Sequence, residues 1–161
     1  MPIIAIEDHH WAQIMAVQAQ AYRSIDPESL ETLKSKWQHS PNTCFVFEQE
    51  GEVLAYLLAH AWNSHEPPKL YAPLEHISGG DTLFLHDLAV LKNRTERGVG
   101  KQLVNHLIRI AQTQNFSRIT LVAIQDSYTF WEKFGFTSQD QTPADEIYGT
   151  GAIVMVKTLN I

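Results

Sequence analysis

A chain of 161 residues with 44% hydrophobic and 19% charged residues reads as one globular domain, residues 1–161, long enough to bury a core. Its net charge of −6 and pI near 5.7 argue against a nucleic-acid binder, and its longest uncharged apolar stretch, Val53–Ala61, is too short to span a bilayer. The lone Cys44 excludes an internal disulfide and, with an N-terminus that has neither a basic region nor a cleavable apolar core, predicts a reducing, cytoplasmic setting. From the N-terminus, Pro2–Glu7 alternates in polarity and predicts a first strand. Asp8 is placed to cap a helix running to about Ser24, with Trp11, Ile14, Met15, Gln18 and Tyr22 near one face. Asp26-Pro27-Glu28 predicts a second helix, with the proline in its first turn and Trp37 on its packing face, and Pro41-Asn42 ends it. Thr43–Glu48 and Glu52–Trp62 predict a hairpin around Gln49-Glu50-Gly51, with Cys44 as a small core residue. The connection Asn63–Asp81 carries Pro67, Pro68, Pro73 and Gly79-Gly80. It is long for a turn, and its Leu70, Tyr71, Leu74 and Ile77 predict that it packs on the domain.

The most informative segment follows. Leu83-Phe-Leu-His-Asp-Leu-Ala-Val90 lies in a predicted strand, Thr82–Val90, and leads through a basic loop into a helix opening with Gly98-Val99-Gly100. That helix runs to about Thr113 and buries Val99, Leu103, Val104, Leu107, Ile108 and Ala111, spaced three or four residues apart. Glycines at a helix start let a backbone approach a ligand, and the helix N-terminus offers unpaired N–H groups to an anion. Residues 92–101 hold Lys92, Arg94, Arg97 and Lys101 against Glu96, a net of +3, so the rest of the chain carries −9. A concentrated positive loop on an acidic chain points to a phosphate seat. The Rossmann and P-loop glycine patterns are both absent, since Leu103 stands where the former needs its third glycine.

Three further elements complete the chain: a buried strand at Ser117–Ala123, a short helix at Ser127–Phe134 and a last strand at Ile153–Leu159. The segment Leu121-Val-Ala-Ile-Gln-Asp-Ser-Tyr-Thr-Phe-Trp-Glu-Lys-Phe-Gly-Phe136, taken with the strand and glycine loop, resembles the GNAT superfamily of acyl-CoA-dependent N-acetyltransferases. The resemblance implies an α/β (α+β) fold, a mixed, mostly antiparallel sheet with helices on both faces. It implies acetyl-CoA as co-substrate, no metal, and a primary amine of a small molecule or protein as acceptor. No nucleic acid or membrane partner is expected, and the chain would act as a monomer or homodimer. CoA binding is carried over to Leu88, Ala89 and Val90 at a bulge of the central strand, to Arg94, Thr95, Arg97, Gly98, Val99, Gly100 and Lys101 in the loop, and to Asp126 and Trp131. Thr95 stands where the family has glutamine or arginine. Trp131 replaces a tyrosine that many members use as the acid for the departing thiolate, and an indole N–H has no useful acidity.

An amine attacking a thioester must lose a proton, and three routes remain open: His86, Asp87 or a water relay. Strand alternation sends His86 and Asp87 to opposite faces. An imidazole with a pKa near 6.5 suits His86 to the role of base. Tyr128, one helical turn before Trp131, is the candidate acid. Tyr22, His60 and Trp62 are candidate acceptor-pocket residues. Among the histidines besides His86, the set His9-His10, His60, His65, His76 and His106 shows no metal-ligand spacing. Two rival readings stand beside the transferase: an acyl-CoA-binding module without chemistry, and a nucleotide-phosphate binder using Gly98–Lys101.

Overall fold

The computed structural model describes residues 2–22, 26–63, 67–69, 71–74, 80–92, 98–124, 127–139 and 151–159. Along the chain these form β1 (Ile3–Ala5), α1 (Trp11–Ala21), α2 (Leu30–His39), β2 (Cys44–Gln49), β3 (Glu52–Trp62) and β4 (Thr82–Val90). There follow α3 (Val99–Thr113), β5 (Arg118–Ala123), α4 (Tyr128–Glu132), β6 (Thr137–Ser138) and β7 (Ile153–Thr158). The strands make one sheet in the order β1-β2-β3-β4-β5-β7-β6, in which only the β4–β5 pair is parallel. This is the expected mixed, mostly antiparallel sheet with helices on both faces.

The differences from the expected elements have local causes. Asp8 does not cap α1; Asp8–His10 form a 3-10 turn, and the His10 ring accepts the Glu7 N–H at 2.9 Å. Asp8 faces Lys34 instead, at 3.4 Å. The second helix starts later than Pro27 because Ser29 is its N-cap, its hydroxyl accepting the Thr32 N–H at 3.2 Å. That shift leaves Asp26, Pro27 and Glu28 in extended chain ahead of α2, where Glu28 is free to reach the sheet. The strand β6 has only two residues, too short for any periodicity, and owes its existence to pairing with β7.

Two cores lie on the two sides of the sheet. One packs α3 and α4 through Leu83, Leu85, Leu103, Leu107, Trp131 and Phe136, and the other packs α1 and α2 through Ile14, Leu33, Tyr56, Leu58 and Ala89. Leu103 and Leu107 are fully buried, and each such burial stabilises by about 1.5–3 kcal/mol. The long connection before β4 packs as expected at Leu74, whereas Tyr71 is 40% exposed. Leu74 is buried and its N–H bonds the Ser35 hydroxyl at 2.8 Å, while Lys36 Nζ donates to the Ala72 carbonyl at 3.0 Å. Leu70 and Ile77 lie outside the described residues.

The feature that shapes the site is a β-bulge. Leu58 of β3 pairs with Asp87 and Ala59 with Leu85, so His86 has no partner across the ladder. The bulge therefore sits at His86, not at Leu88–Val90 as expected. An extra residue resets the side-chain alternation. Leu83 and Leu85 belong to the core on the α3 side, whereas Ala89, which unbroken alternation would put with them, belongs to the α1–α2 core. His86 and Asp87 consequently both reach the α1–α2 side, and the expectation that they diverge to opposite faces is corrected.

Candidate active site

The sheet opens around the bulge. Among the described residues β4 pairs with β5 only through Thr82, Leu83 and Phe84, so Leu85–Val90 run on without that neighbour. The Leu91 N–H bonds the Leu54 carbonyl of β3 at 2.8 Å. Antiparallel alternation from there turns the N–H groups of Ala89 and Asp87 toward β3 and those of Leu88 and Val90 toward the open side. A cleft of about 460 Å³ fills the opening.

One end of the cleft is built by α3. Gly98 caps this helix in the left-handed conformation, φ 69° and ψ 22°, which an L side chain adopts only at a cost. Gly100 lies where a Cβ would meet Val90 Cγ2 at 3.5 Å and Phe130 Cζ at 3.6 Å, so the helix start runs close to the end of β4 and to α4. Gly98, Gly100, Lys92 and Lys101 line this end, and Phe130 and Trp131 form a wall. Orphan N–H groups, the helix dipole and two lysines suit it to a pyrophosphate. Val99 turns into the core, 1% exposed. Arg94, Thr95, Arg97 and Asp126 lie outside the described residues.

The other end is acidic and aromatic, lined by Gln18, Tyr22, Asp26, Glu28, His86 and Asp87. The Asp87 carboxylate is 6% exposed and accepts two phenol hydroxyls, Tyr22 on Oδ1 and Tyr56 on Oδ2, the latter at 2.6 Å. Burial raises its pKa to about 6 against the lowering pull of His86 and the two hydroxyls. Both phenols are pushed well above their ordinary range, by burial first and then by the Asp87 charge. Tyr22 follows the last turn of α1 with extended backbone, and its hydroxyl also lies 3.2 Å from the Leu88 carbonyl.

Beside this group His86 Nε2 bonds Glu28 Oε1 at 2.7 Å, with the imidazole fully buried and its Nδ1 unpartnered among the described groups. Glu28 is tied on every side. Its other oxygen accepts the Tyr71 N–H at 2.9 Å, and its backbone N–H and carbonyl are both held by the Gln18 amide, at 2.9 and 3.0 Å. Burial would raise the Glu28 pKa, but His86, the Tyr71 N–H and Lys36 together hold it below the usual carboxylate range.

Of the residues singled out from sequence, the fold brings Tyr22, His86, Asp87, Leu88, Ala89, Val90, Gly98, Gly100, Lys101 and Trp131 to this one cleft. Tyr128, His60 and Trp62 are not among its lining residues. Tyr128 packs against the α3-side core. His60 is 1% exposed, edge-on to Trp62 and tilted against Phe84, and burial lowers its pKa to about 3. Sequence reasoning missed Glu28, Tyr56 and Phe130. Glu28 was read as part of a helix turn, and Tyr56 lies 31 residues before the carboxylate that it contacts. Among the described residues one cluster, Glu7, His9 and His10, groups possible metal-ligand atoms. Both His10 ring nitrogens are already engaged there, by the Glu7 N–H and by Glu48 at 3.1 Å.

Comparison with known proteins agrees with this fold. The sequence profile of the acetyltransferase (GNAT) family matches residues 11–136. Serotonin N-acetyltransferase of Mesocricetus auratus is 24% identical over 127 residues, 76% of this chain, which spans only 61% of that relative's length. The loading GNATL domain of CurA from Lyngbya majuscula superposes with a TM-score of 0.80 at 12% identity, covering 97% of this chain and 96% of that one. Arabidopsis thaliana Naa50, solved with the bisubstrate analogue CoA-Ac-MVNAL, gives a TM-score of 0.73 at 15% identity, covering 98% and 97%.

Proposed function

The chain belongs to the GNAT acetyltransferase family, and on that premise we propose that it transfers an acetyl group from acetyl-CoA to a primary amine by direct attack on the thioester. The observation that carries this reading is the continuity of one cleft, from a cationic helix start through an opened sheet to a buried, ionisable acidic pocket. The pyrophosphate lies at Gly98–Lys101, and the pantetheine arm runs between β4 and β5 against Phe130 and Trp131. The thioester carbonyl meets the N–H of Leu88 or Val90. A donor aimed at the developing oxyanion contributes about 3–4 kcal/mol to lowering the barrier.

The acceptor approaches from the acidic end. Asp26, Glu28 and Asp87 there favour a cationic amine, which must shed a proton before it attacks. The bulge places two proton-accepting side chains, His86 and Asp87, on the same side of β4. As the C–N bond forms, the C–S bond breaks and the thiolate leaves. A thiol pKa of about 8.5 makes that departure undemanding, so tryptophan at 131 is compatible with turnover.

The test is an amine-panel screen of the intact chain with acetyl-CoA, monitored by free-thiol release, alongside calorimetric titration of acetyl-CoA. Thiol release stimulated by at least one amine, with a matching acetylated product, is the expected result. Acetyl-CoA binding with no amine-dependent thiol release would make the protein a cofactor-binding module, and tight ATP binding without acetyl-CoA binding would remove the CoA reading altogether.

A further inference from the structure

Resting on that reading, we propose that Tyr22 and Asp87 form a two-step proton relay, in which the Tyr22 hydroxyl takes the acceptor's proton while passing its own to Asp87. Both carboxylate oxygens of Asp87 are engaged by phenols. Its Oδ2 is closed off by Tyr56, itself fully buried and absent from the cleft lining, and its Oδ1 is covered by Tyr22. The Tyr22 oxygen, which lines the cleft and bonds Oδ1, is a path for a proton between the cleft and this carboxylate.

Position supports the same path. Tyr22 lines the cleft, and its hydroxyl lies 3.2 Å from the Leu88 carbonyl, on the open side of β4 from which the oxyanion donor is drawn. A nucleophile seated over the thioester is thus beside the phenol. The His86 imidazole offers no comparable opening, since it is fully buried and its Nε2 is held by Glu28.

The chemistry requires both residues. A phenol with a raised pKa stays protonated and is by itself no base at neutral pH. It accepts a proton only as it gives one up, and Asp87 is a carboxylate close enough to receive it. The cationic acceptor first gives one proton up to water, and in the transfer step an N–H of the resulting neutral amine breaks and an O–H forms on Tyr22. The original Tyr22 O–H breaks and an O–H forms on Asp87 Oδ1. The C–N bond forms and the C–S bond breaks with its electron pair on sulfur. The proton then returns through Tyr22 to the thiolate, leaving amide and free thiol with both residues restored. The groups facing Asp87 are Tyr22 from the end of α1, Tyr56 from β3, Glu28 from the segment before α2, and His86 from its own strand. His86 and the two hydroxyls favour its ionised form and Glu28 opposes it, with burial the largest influence.

The experiment compares Tyr22→Phe, Tyr56→Phe and Asp87→Asn with the parent by thiol release across pH, with acetyl-CoA affinity and far-UV spectra as checks on folding. Tyr22→Phe should lower kcat by roughly 10²-fold or more while acetyl-CoA affinity holds, the span for losing a general base. Asp87→Asn should abolish the acid limb of kcat/KM. Tyr56→Phe should move that limb to higher pH, because a hydrogen bond to the ionised form is lost, with a loss of kcat less than a tenth of that in Tyr22→Phe. Equal losses from the two phenylalanine variants, or parent turnover in Tyr22→Phe, would overturn the relay while leaving the transferase standing. A parent that releases no thiol with any amine would overturn the transferase reading and the relay with it.

Discussion

Asp87 gives the structure a measurable signature that does not depend on finding the acceptor. Its carboxyl is pushed to about 6 by burial, against an ordinary value of 3.8. Between those values the unfolded chain has released this proton and the folded chain still holds it, so stability falls as pH rises through the window. The gap between 3.8 and about 6, at 1.36 kcal/mol per pH unit, amounts to about 3 kcal/mol, present in full below pH 4 and lost above pH 6. Asp87→Asn removes the titration while keeping a polar group of the same shape. Its amide carbonyl accepts one phenol, and the Tyr22 hydroxyl can turn to the Leu88 carbonyl. Urea unfolding of parent and variant from pH 4 to pH 7 isolates the effect as a difference, since every other group titrates in both. The variant should gain about 3 kcal/mol relative to the parent across that range. A difference that stays flat with pH would refute the buried, proton-retaining carboxyl at this position.

Other residues carry equally direct consequences. Gly100→Ala should be accommodated, since its Cβ would make ordinary contacts with Val90 and Phe130, whereas Gly100→Glu should abolish acetyl-CoA binding by calorimetry with the fold intact. Glu28→Gln, which weakens the charge-assisted bond to His86, should cost about 1.5–3 kcal/mol in denaturant unfolding; a cost near zero would mean that the pair does not hold the segment before α2 to the sheet. Tyr128→Phe should match the parent in kcat within about twofold, because Tyr128 packs on the core; a tenfold fall at unchanged CoA affinity would restore it as the acid.

Much of this architecture was legible in the sequence, for physical reasons. The α3 helix announces itself through residues buried every three or four positions, and β4 through its apolar length. Gly98 was readable as part of a glycine-bearing helix start that admits a ligand, and its left-handed cap is a second reason for glycine there. The bulge at His86 was not readable. No glycine or proline marks it, and it exists only as a mismatch of register with β3, a strand some 30 residues away that sequence periodicity does not address. Missing it sent His86 and Asp87 to opposite faces and hid the pocket that they share. Glu28 was obscured for a related reason. Its partner lies 58 residues on, and a helix start at Pro27 looked as good locally as the Ser29 cap that forms.

The most direct test of the central claim is a crystal structure of the protein with acetyl-CoA. The account predicts pyrophosphate oxygens on the N–H groups at Gly98–Lys101, the pantetheine arm between β4 and β5, and the thioester oxygen within hydrogen-bonding distance of the Leu88 or Val90 N–H. The thioester carbon would face the Tyr22 hydroxyl across the space left for the acceptor. A cofactor whose phosphates sit at the α3 start but whose acyl arm lies outside the β4–β5 opening, away from Tyr22 and Asp87, would contradict it.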